Sequence, residues 1–299
     1  MIASFSLLHP AELEALAPEL TLFLFPVGGL EQHGPHLPMG VKLRQAEEFA
    51  KELSVELARR LPSWNFILMP LLPLTVDTHT SRMALPVRAH VVRDALVDQA
   101  DQLKRLGFRN FVSVSAHLTP RQLTALEDAA RLVTSGWFGG GGAQMVSVSS
   151  ALIDSSELWN SPVLSLPKEH GGSRDTGFML KFNPESVRSD SAALPEILPP
   201  KASPSRLIRY FRHEVDSYWG SPSRASASES LRLQAEDSSA LATRLLPWLE
   251  RSEGKKQFLS AYGRFPVNGS FFKAYLLAAI FFVIMTFWVL WSMKDVFEP

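Results

Sequence analysis

The sequence contains no cysteine among its 299 residues. Disulfides, thiolate zinc sites and cysteine nucleophiles are therefore excluded, and any metal ion must be held by histidine, aspartate or glutamate. The chain also lacks an excess of either charge, with 30 basic and 30 acidic side chains, so nucleic acid is offered no general attraction. We expect no nucleic-acid partner. The hydrophobic share of 46% is typical of a globular protein.

Charge is missing altogether from one stretch near the C-terminus, residues 274–293. Roughly twenty apolar residues are enough for a helix to cross a bilayer, although a buried core helix is the alternative. Basic side chains are more frequent before this stretch than after it, which favours a cytoplasmic N-terminal domain. The N-terminus lacks the pattern of a signal peptide. These features predict a single-pass protein of the cell membrane, with a transmembrane helix at residues 273–293.

Buried strands alternate with amphipathic helices through the first half of the chain. Short apolar runs predict the strands, and apolar residues at helical spacing predict the helices. Such alternation indicates an α/β fold with a mainly parallel sheet flanked by helices. The predicted strands are residues 20–29, 65–74, 110–116 and 143–153, and the predicted helices are 45–61, 91–106, 121–133 and 223–250.

The loop after the first strand reads GGLEQHGPHLP and holds Glu31, His33 and His36 among glycines and prolines. A carboxylate and an imidazole two residues apart suit a divalent cation. Ligands gather at the carboxyl ends of parallel strands, so we expect Glu31 and His33 to meet His117, which ends a later strand. The alternative is that these histidines are structural residues of a loop.

A second polar turn, EHGGSRDTG, contains His170 and Asp175 and precedes a predicted helix. Taken alone, this turn is more typical of a helix N-cap with a solvated Asp175 than of a site. The glycine run at residues 139–142 is not followed by Gly-Lys-Ser/Thr, so a phosphate-binding loop is not indicated.

Four segments, in order along the chain, resemble motifs of the creatininase family. They are VGGLEQHGPHLPMG, GFRNFVSVSAH, EHGGSRDTGFML and YWGSPSRASASES, and together they extend over about residues 20–250. The resemblance implies an α/β metal-dependent amidohydrolase fold, usually oligomeric, in which two metal ions serve the cleavage of cyclic or small amides. It also implies metal-ligand roles for Glu31, His33 and His117 and catalytic or substrate-facing roles for His170 and Asp175.

The sequence departs from the family pattern at three positions that hold acidic residues in the family motifs. The bridging aspartate that contacts both metals in the family corresponds to Lys42, and the two glutamates of the third motif correspond to Ser173 and Asp175. Two alternatives follow: a site with one divalent metal, zinc or manganese, and a site with none. We favour a non-catalytic scaffold or binding module, with a single-metal amidohydrolase as the alternative.

The resemblance and the apolar stretch together predict the domain organisation. Residues 1–252 are expected to form the creatininase-like domain, 253–272 a juxtamembrane linker, 273–293 the transmembrane helix and 294–299 a short tail. The expected partners are the lipid bilayer, further copies of the chain in a homo-oligomer, and a membrane protein.

Overall fold

The computed structural model contains one parallel sheet of five strands with helices on both of its faces. It describes residues 1–76, 83–135, 142–149, 169–198, 217–253, 255–260 and 269–292, the side chains of 255–256 and 269–276 excepted. The strands are β1 (Ile2–Ser4), β2 (Thr21–Val27), β3 (Asn65–Leu68), β4 (Asn110–Ser115) and β5 (Gln144–Ser147). The helices are α1 (Pro10–Glu14), α2 (Val41–Arg60), α3 (Ala89–Arg105), α4 (Pro120–Ser135), α5 (Ser173–Phe182), α6 (Ala227–Arg251) and α7 (Gly269–Ser292).

The strand order is β1-β3-β2-β4-β5, and every pair is parallel. β2 lies at the centre and is buried along its whole length, as expected for a strand covered on both faces. Its alternate side chains enter two different cores. Leu22 and Leu24 pack towards α2 and α6, whereas Phe23 and Phe25 pack towards α3 and α4.

The predicted α/β class and parallel sheet are confirmed, with differences at the boundaries. The strand predicted for residues 65–74 ends at Leu68, because Pro70 and Pro73 have no N–H to donate to a ladder. The first strand, β1, was not predicted, since three residues give too little pattern to recognise. The strand predicted to reach residue 153 is described only for Gln144–Ser147, and residues 150–153 lie outside the described part.

The apolar C-terminal stretch forms the helix α7, and its side chains from Leu277 to Ser292 are exposed. Among the described residues, no helix is both long enough and apolar enough to span a bilayer. The structure therefore does not support the predicted transmembrane helix at residues 273–293.

Two close approaches bring the loops of the site together. A Cβ on Gly28, directly after β2, would lie 2.6 Å from the carbonyl oxygen of Lys42, so the strand end can meet the start of α2 only without a side chain. Gly171, before α5, has a φ of +63°, and a Cβ there would lie 2.7 Å from the carbonyl oxygen of His33. These glycines let the loop after β2 lie between α2 and α5.

Candidate metal centre

The predicted ligands do meet beyond the carboxyl ends of β2 and β4. Glu31 Oε1 lies 2.9 Å from His117 Nδ1 and 3.5 Å from His33 Nε2. His170 arrives from a distant segment, and its ring stacks on that of His33 with centroids 4.1 Å apart. All four side chains are at most 1% exposed. We call Glu31, His33, His117 and His170 the histidine half of the site.

One subset of this half has donor atoms close enough to share a cation. One ligand atom from each of Glu31, His33 and His170 lies within 4.8 Å of the others. The sequence had placed His117 rather than His170 among the metal ligands. His117 instead borders the cluster through its contact with Glu31.

Backbone contacts fix the orientation of two imidazoles. His33 Nδ1 lies 3.0 Å from the carbonyl oxygen of Glu31, and His170 Nε2 lies 3.0 Å from that of Gln32. Because a carbonyl can only accept, each of these ring nitrogens is the donor, and the other nitrogen keeps its lone pair. His33 therefore directs an acceptor nitrogen, Nε2, towards Glu31.

Burial and neighbouring charge set the protonation states of this half. Burial, reinforced by His170, lowers the pKa of His33 to about 3, so its imidazole is neutral at pH 7. Burial likewise lowers the pKa of His170. Burial alone would raise the pKa of Glu31, but His117 and then His33 outweigh it and hold that pKa well below its usual range. One carboxylate beside neutral imidazoles is a donor set that fits a divalent cation.

The other part of the site is an ion pair, which we call the lysine half: Lys42, Gln45 and Asp175. Lys42 Nζ donates to Asp175 Oδ1 at 2.9 Å and to Gln45 Oε1 at 2.9 Å. Gln45 Nε2 donates to the same Asp175 oxygen at 2.7 Å, and the Gly171 N–H donates to Asp175 Oδ2 at 2.9 Å. Both carboxylate oxygens thus have partners inside the protein.

The charge on Asp175 is fixed by this arrangement. Burial would raise its pKa, but the ammonium of Lys42 comes next in size, and it acts with His33 and the two side-chain hydrogen bonds to hold the pKa well below the usual range. The side chains of Lys42 and Asp175 are 15% and 6% exposed. Asp175 is therefore a carboxylate held by an internal cation, not the solvated N-cap residue that its turn suggested.

His36, also in the loop after β2, is not part of the group formed by Glu31, His33 and His170. Its Nε2 is 2.8 Å from the hydroxyl oxygen of Thr176. Its ring packs edge-on against the ring of Tyr218, with centroids 5.9 Å apart. The first turn of α5 and the segment around Tyr218 are thereby joined to this loop. His36 thus follows the structural alternative for a histidine in a glycine-proline loop.

Two residues of the site were missed by sequence reasoning. Trp219 stacks on His170 with centroids 4.9 Å apart, and the backbones of the two residues exchange hydrogen bonds of 2.9 Å. Gln45 lies three residues after Lys42, on the same side of α2, and this spacing is the signal that could have indicated a shared partner. No local signal pairs Trp219 with His170, because they belong to different segments.

The family profile described as Creatininase: Creatinine amidohydrolase matches residues 6–244. The chain belongs to the creatininase family. The membership agrees with the motifs and with the parallel sheet that positions them. No curated relative matches the chain at a significant level.

Solved structures of creatininases share the fold. A creatininase with a tryptophan-to-alanine substitution is 20% identical, covers 83% of this chain and 98% of its own, and superposes with a TM-score of 0.61. A creatinine amidohydrolase and a manganese creatininase have the same identity and coverage, each with a TM-score of 0.57. At this identity the likeness establishes the fold of the family, and the chemistry of this chain must be argued from its own residues.

Proposed function

We propose that this creatininase-family protein has lost two-metal hydrolysis and serves as a non-catalytic scaffold or binding module. The observation that supports this proposal is the ion pair between Lys42 and Asp175 at 2.9 Å. Lys42 corresponds to the aspartate that contacts both metals in the family. An acid that would attract two cations is therefore replaced by a cation of the protein itself.

The electrostatic cost of a second metal beside Lys42 is large. Two unit charges 4 Å apart repel by about 4 kcal/mol at an effective dielectric constant of 20, and a divalent ion doubles this, before the opposing attraction of the Asp175 carboxylate is counted. The contacts of Asp175 add to the difficulty, because both of its oxygens already accept hydrogen bonds from Lys42, Gln45 and Gly171. The carboxylate would have to give up these partners to act on a substrate.

A single-metal amidohydrolase is the second candidate, and the cluster of Glu31, His33 and His170 favours it. These residues would hold one divalent cation, zinc or manganese, which would supply an acidified water and polarise an amide carbonyl. His117 would stay beside Glu31 and orient its carboxylate. Asp175 would remain paired with Lys42 and would hold the ammonium in place.

Turnover of amides separates the two candidates. The purified full chain, loaded with zinc or manganese, is assayed against creatinine and a set of small cyclic and linear amides, beside a Glu31→Ala variant. The scaffold proposal predicts the same rate for both proteins. Metal-dependent hydrolysis that disappears in Glu31→Ala would establish the enzyme instead.

We further propose that α7 attaches the protein to a membrane, with the N-terminal domain on the cytoplasmic side. The support comes from the uncharged sequence of residues 274–293 and from the exposure of large apolar side chains such as Phe282 and Trp291, at 75% and 73%. Fractionation of cells that express the full chain or a version ending at residue 260 tests this proposal. Recovery of both versions in the soluble fraction would contradict it.

Association with further copies of the chain and with a membrane protein is proposed on the family resemblance. Tails on every subunit can enter one membrane only if they lie on the same side of the assembly, which favours cyclic symmetry. Mass measurement of the detergent-solubilised full chain by light scattering tests the first part. A monomer at all concentrations would contradict it.

A further inference from the structure

The chain between α6 and α7 contacts the domain over residues 255–260, which we call the strap. We propose that the strap is a closable tether, which fastens the C-terminal tail to α4 and α6 and so attaches α7 to a fixed point of the domain. The strap lies beyond residue 244, where the family match ends, and within the stretch predicted as a linker, 253–272. The inference goes beyond the proposed function, because it requires neither a membrane nor a loss of catalysis.

The first contact of the strap is an aromatic anchor. The side chain of Phe258 is 1% exposed and belongs to the core that also contains Trp248 of α6 and Val146 of β5. Its ring lies edge-on to the ring of Trp248, with centroids 6.4 Å apart. Burial of a phenylalanine ring is favourable because a large apolar surface leaves water. The strap is therefore held by the core itself.

The second contact is a hydrogen bond to a buried carboxyl group on α4. The Ser260 N–H donates to Glu127 Oε1 at 2.8 Å, and the two residues are 2% and 1% exposed. A buried carboxyl group and a buried N–H each cost free energy unless they form hydrogen bonds. Glu127 and Ser260 thus each supply a partner that the other requires, and the end of the strap is fixed to α4.

The two contacts belong to helix layers on opposite faces of the sheet. Phe258 packs in the core on the face of α2 and α6, whereas α4 contributes Leu126 and Ala129 to the core on the other face. The strap passes from one layer to the other along β5, which it contacts and which is the last strand on this side of the described sheet. Gln257 Nε2 also donates to the carbonyl oxygen of Arg244 on α6 at 2.9 Å. The strap adds no strand to the described sheet, so it can open while the sheet stays folded.

A closed strap shortens the tether of α7. Ser260 and Gly269, the first residue of α7, are nine positions apart, so the chain between them can extend over about 30 Å. From Arg251, the end of α6, to Gly269 the separation is eighteen positions and the greatest extension is about 60 Å. Closure of the strap therefore halves the distance by which α7 can move away from the domain.

The test is hydrogen exchange of the Ser260 amide in the full chain, kept in detergent micelles and resolved by mass spectrometry with fragmentation. Phe258→Ala leaves a cavity in place of the anchor and should speed this exchange about a hundredfold or more. Glu127→Ala removes the acceptor and should speed it roughly tenfold to a hundredfold, and Glu127→Gln, which keeps an acceptor oxygen, should restore part of the protection. The amides of β4 should stay protected in every variant, which shows that the domain is folded.

Two variants on α6 serve as matched controls. Leu231→Ala shortens an apolar side chain that is 37% exposed, and Glu236→Ala removes an exposed acid, so neither should change the exchange of the Ser260 amide. The same exchange rate for this amide in the wild type and in the unfolded chain would overturn the proposal, as would unchanged exchange in both Phe258→Ala and Glu127→Ala.

The fold of the variants is read from β4 in the same experiment. If β4 loses its protection in Phe258→Ala, the milder pair Glu127→Ala and Glu127→Gln decides the question. Loss of β4 protection in both alanine variants would overturn the proposal, because the segment would then be inseparable from the fold. Amide hydrolysis by the wild type, or its recovery in the soluble fraction, would overturn the proposed function but not the strap, so the two failures are distinguishable.

Discussion

The histidine half and the lysine half of the site lie side by side but satisfy their charges in different ways. In the histidine half, the carboxylate of Glu31 faces the neutral imidazole of His33, and one donor atom each from Glu31, His33 and His170 lies close enough to share an external cation. In the lysine half, the cation is part of the chain, and Asp175 is already neutralised. Under the proposed function, this difference means that the fold of the family keeps one possible ligand set, whereas an internal ion pair stands at the position of the other.

The largest effect is expected from breaking the ion pair of the lysine half. Lys42→Met leaves the buried Asp175 without its cation and should lower the free energy of unfolding by about 3 to 5 kcal/mol. Urea denaturation followed by circular dichroism measures the loss. Arg232→Met, which removes two exposed ion pairs on α6, with Glu229 and Glu236, is the control and should leave the midpoint unchanged. Equal effects of the two substitutions would contradict the importance of the buried pair.

A smaller effect is expected where the two halves are packed together. Gly171→Ala places a Cβ 2.7 Å from the carbonyl oxygen of His33 at a φ of +63°, and should cost about 2 kcal/mol of stability. Gly40→Ala is the matched control, because its φ is −90° and its nearest contact would be 4.0 Å away. If both alanines are tolerated equally, the close approach of the loop and α5 is not required.

The stability that the lysine half contributes should depend on pH. The pKa of Asp175 is lowered in the folded state, so its contribution is complete above the unfolded pKa of about 3.9 and is lost as the pH falls below that value. Asp175→Asn should therefore flatten the acid side of the curve of Tm against pH. Asp98→Asn, an exposed residue of α3, should not change it. Unchanged acid sensitivity in Asp175→Asn would place the responsible group elsewhere.

The fold was predictable because its strands are short apolar runs and its helices have apolar residues at helical spacing. The meeting of Glu31, His33 and His117 was predictable because parallel strands bring their carboxyl ends to one edge. The partner of Lys42 was not predictable, since Asp175 lies 133 residues away and its turn is also typical of a simple N-cap. The stacking of Trp219 on His170 depends on a bridge between remote segments that no local pattern indicates.

The helical conformation of the C-terminal stretch was predictable, but its environment was not. Residues 269–292 do form a helix, as uninterrupted apolar residues predict, but helix formation does not fix what surrounds a helix. The environment depends on partners that the sequence of one chain does not name. Membrane attachment therefore stays a prediction, to be tested by fractionation.

The central claim, that Lys42 takes the place of a second metal, is tested most directly by counting metals per chain. Native mass spectrometry of the full chain, titrated with Mn²⁺ or Zn²⁺, should show no more than one bound ion. Lys42→Asp, which removes the internal cation and restores an acid, should admit a second ion. Two ions bound to the wild-type chain would contradict the account.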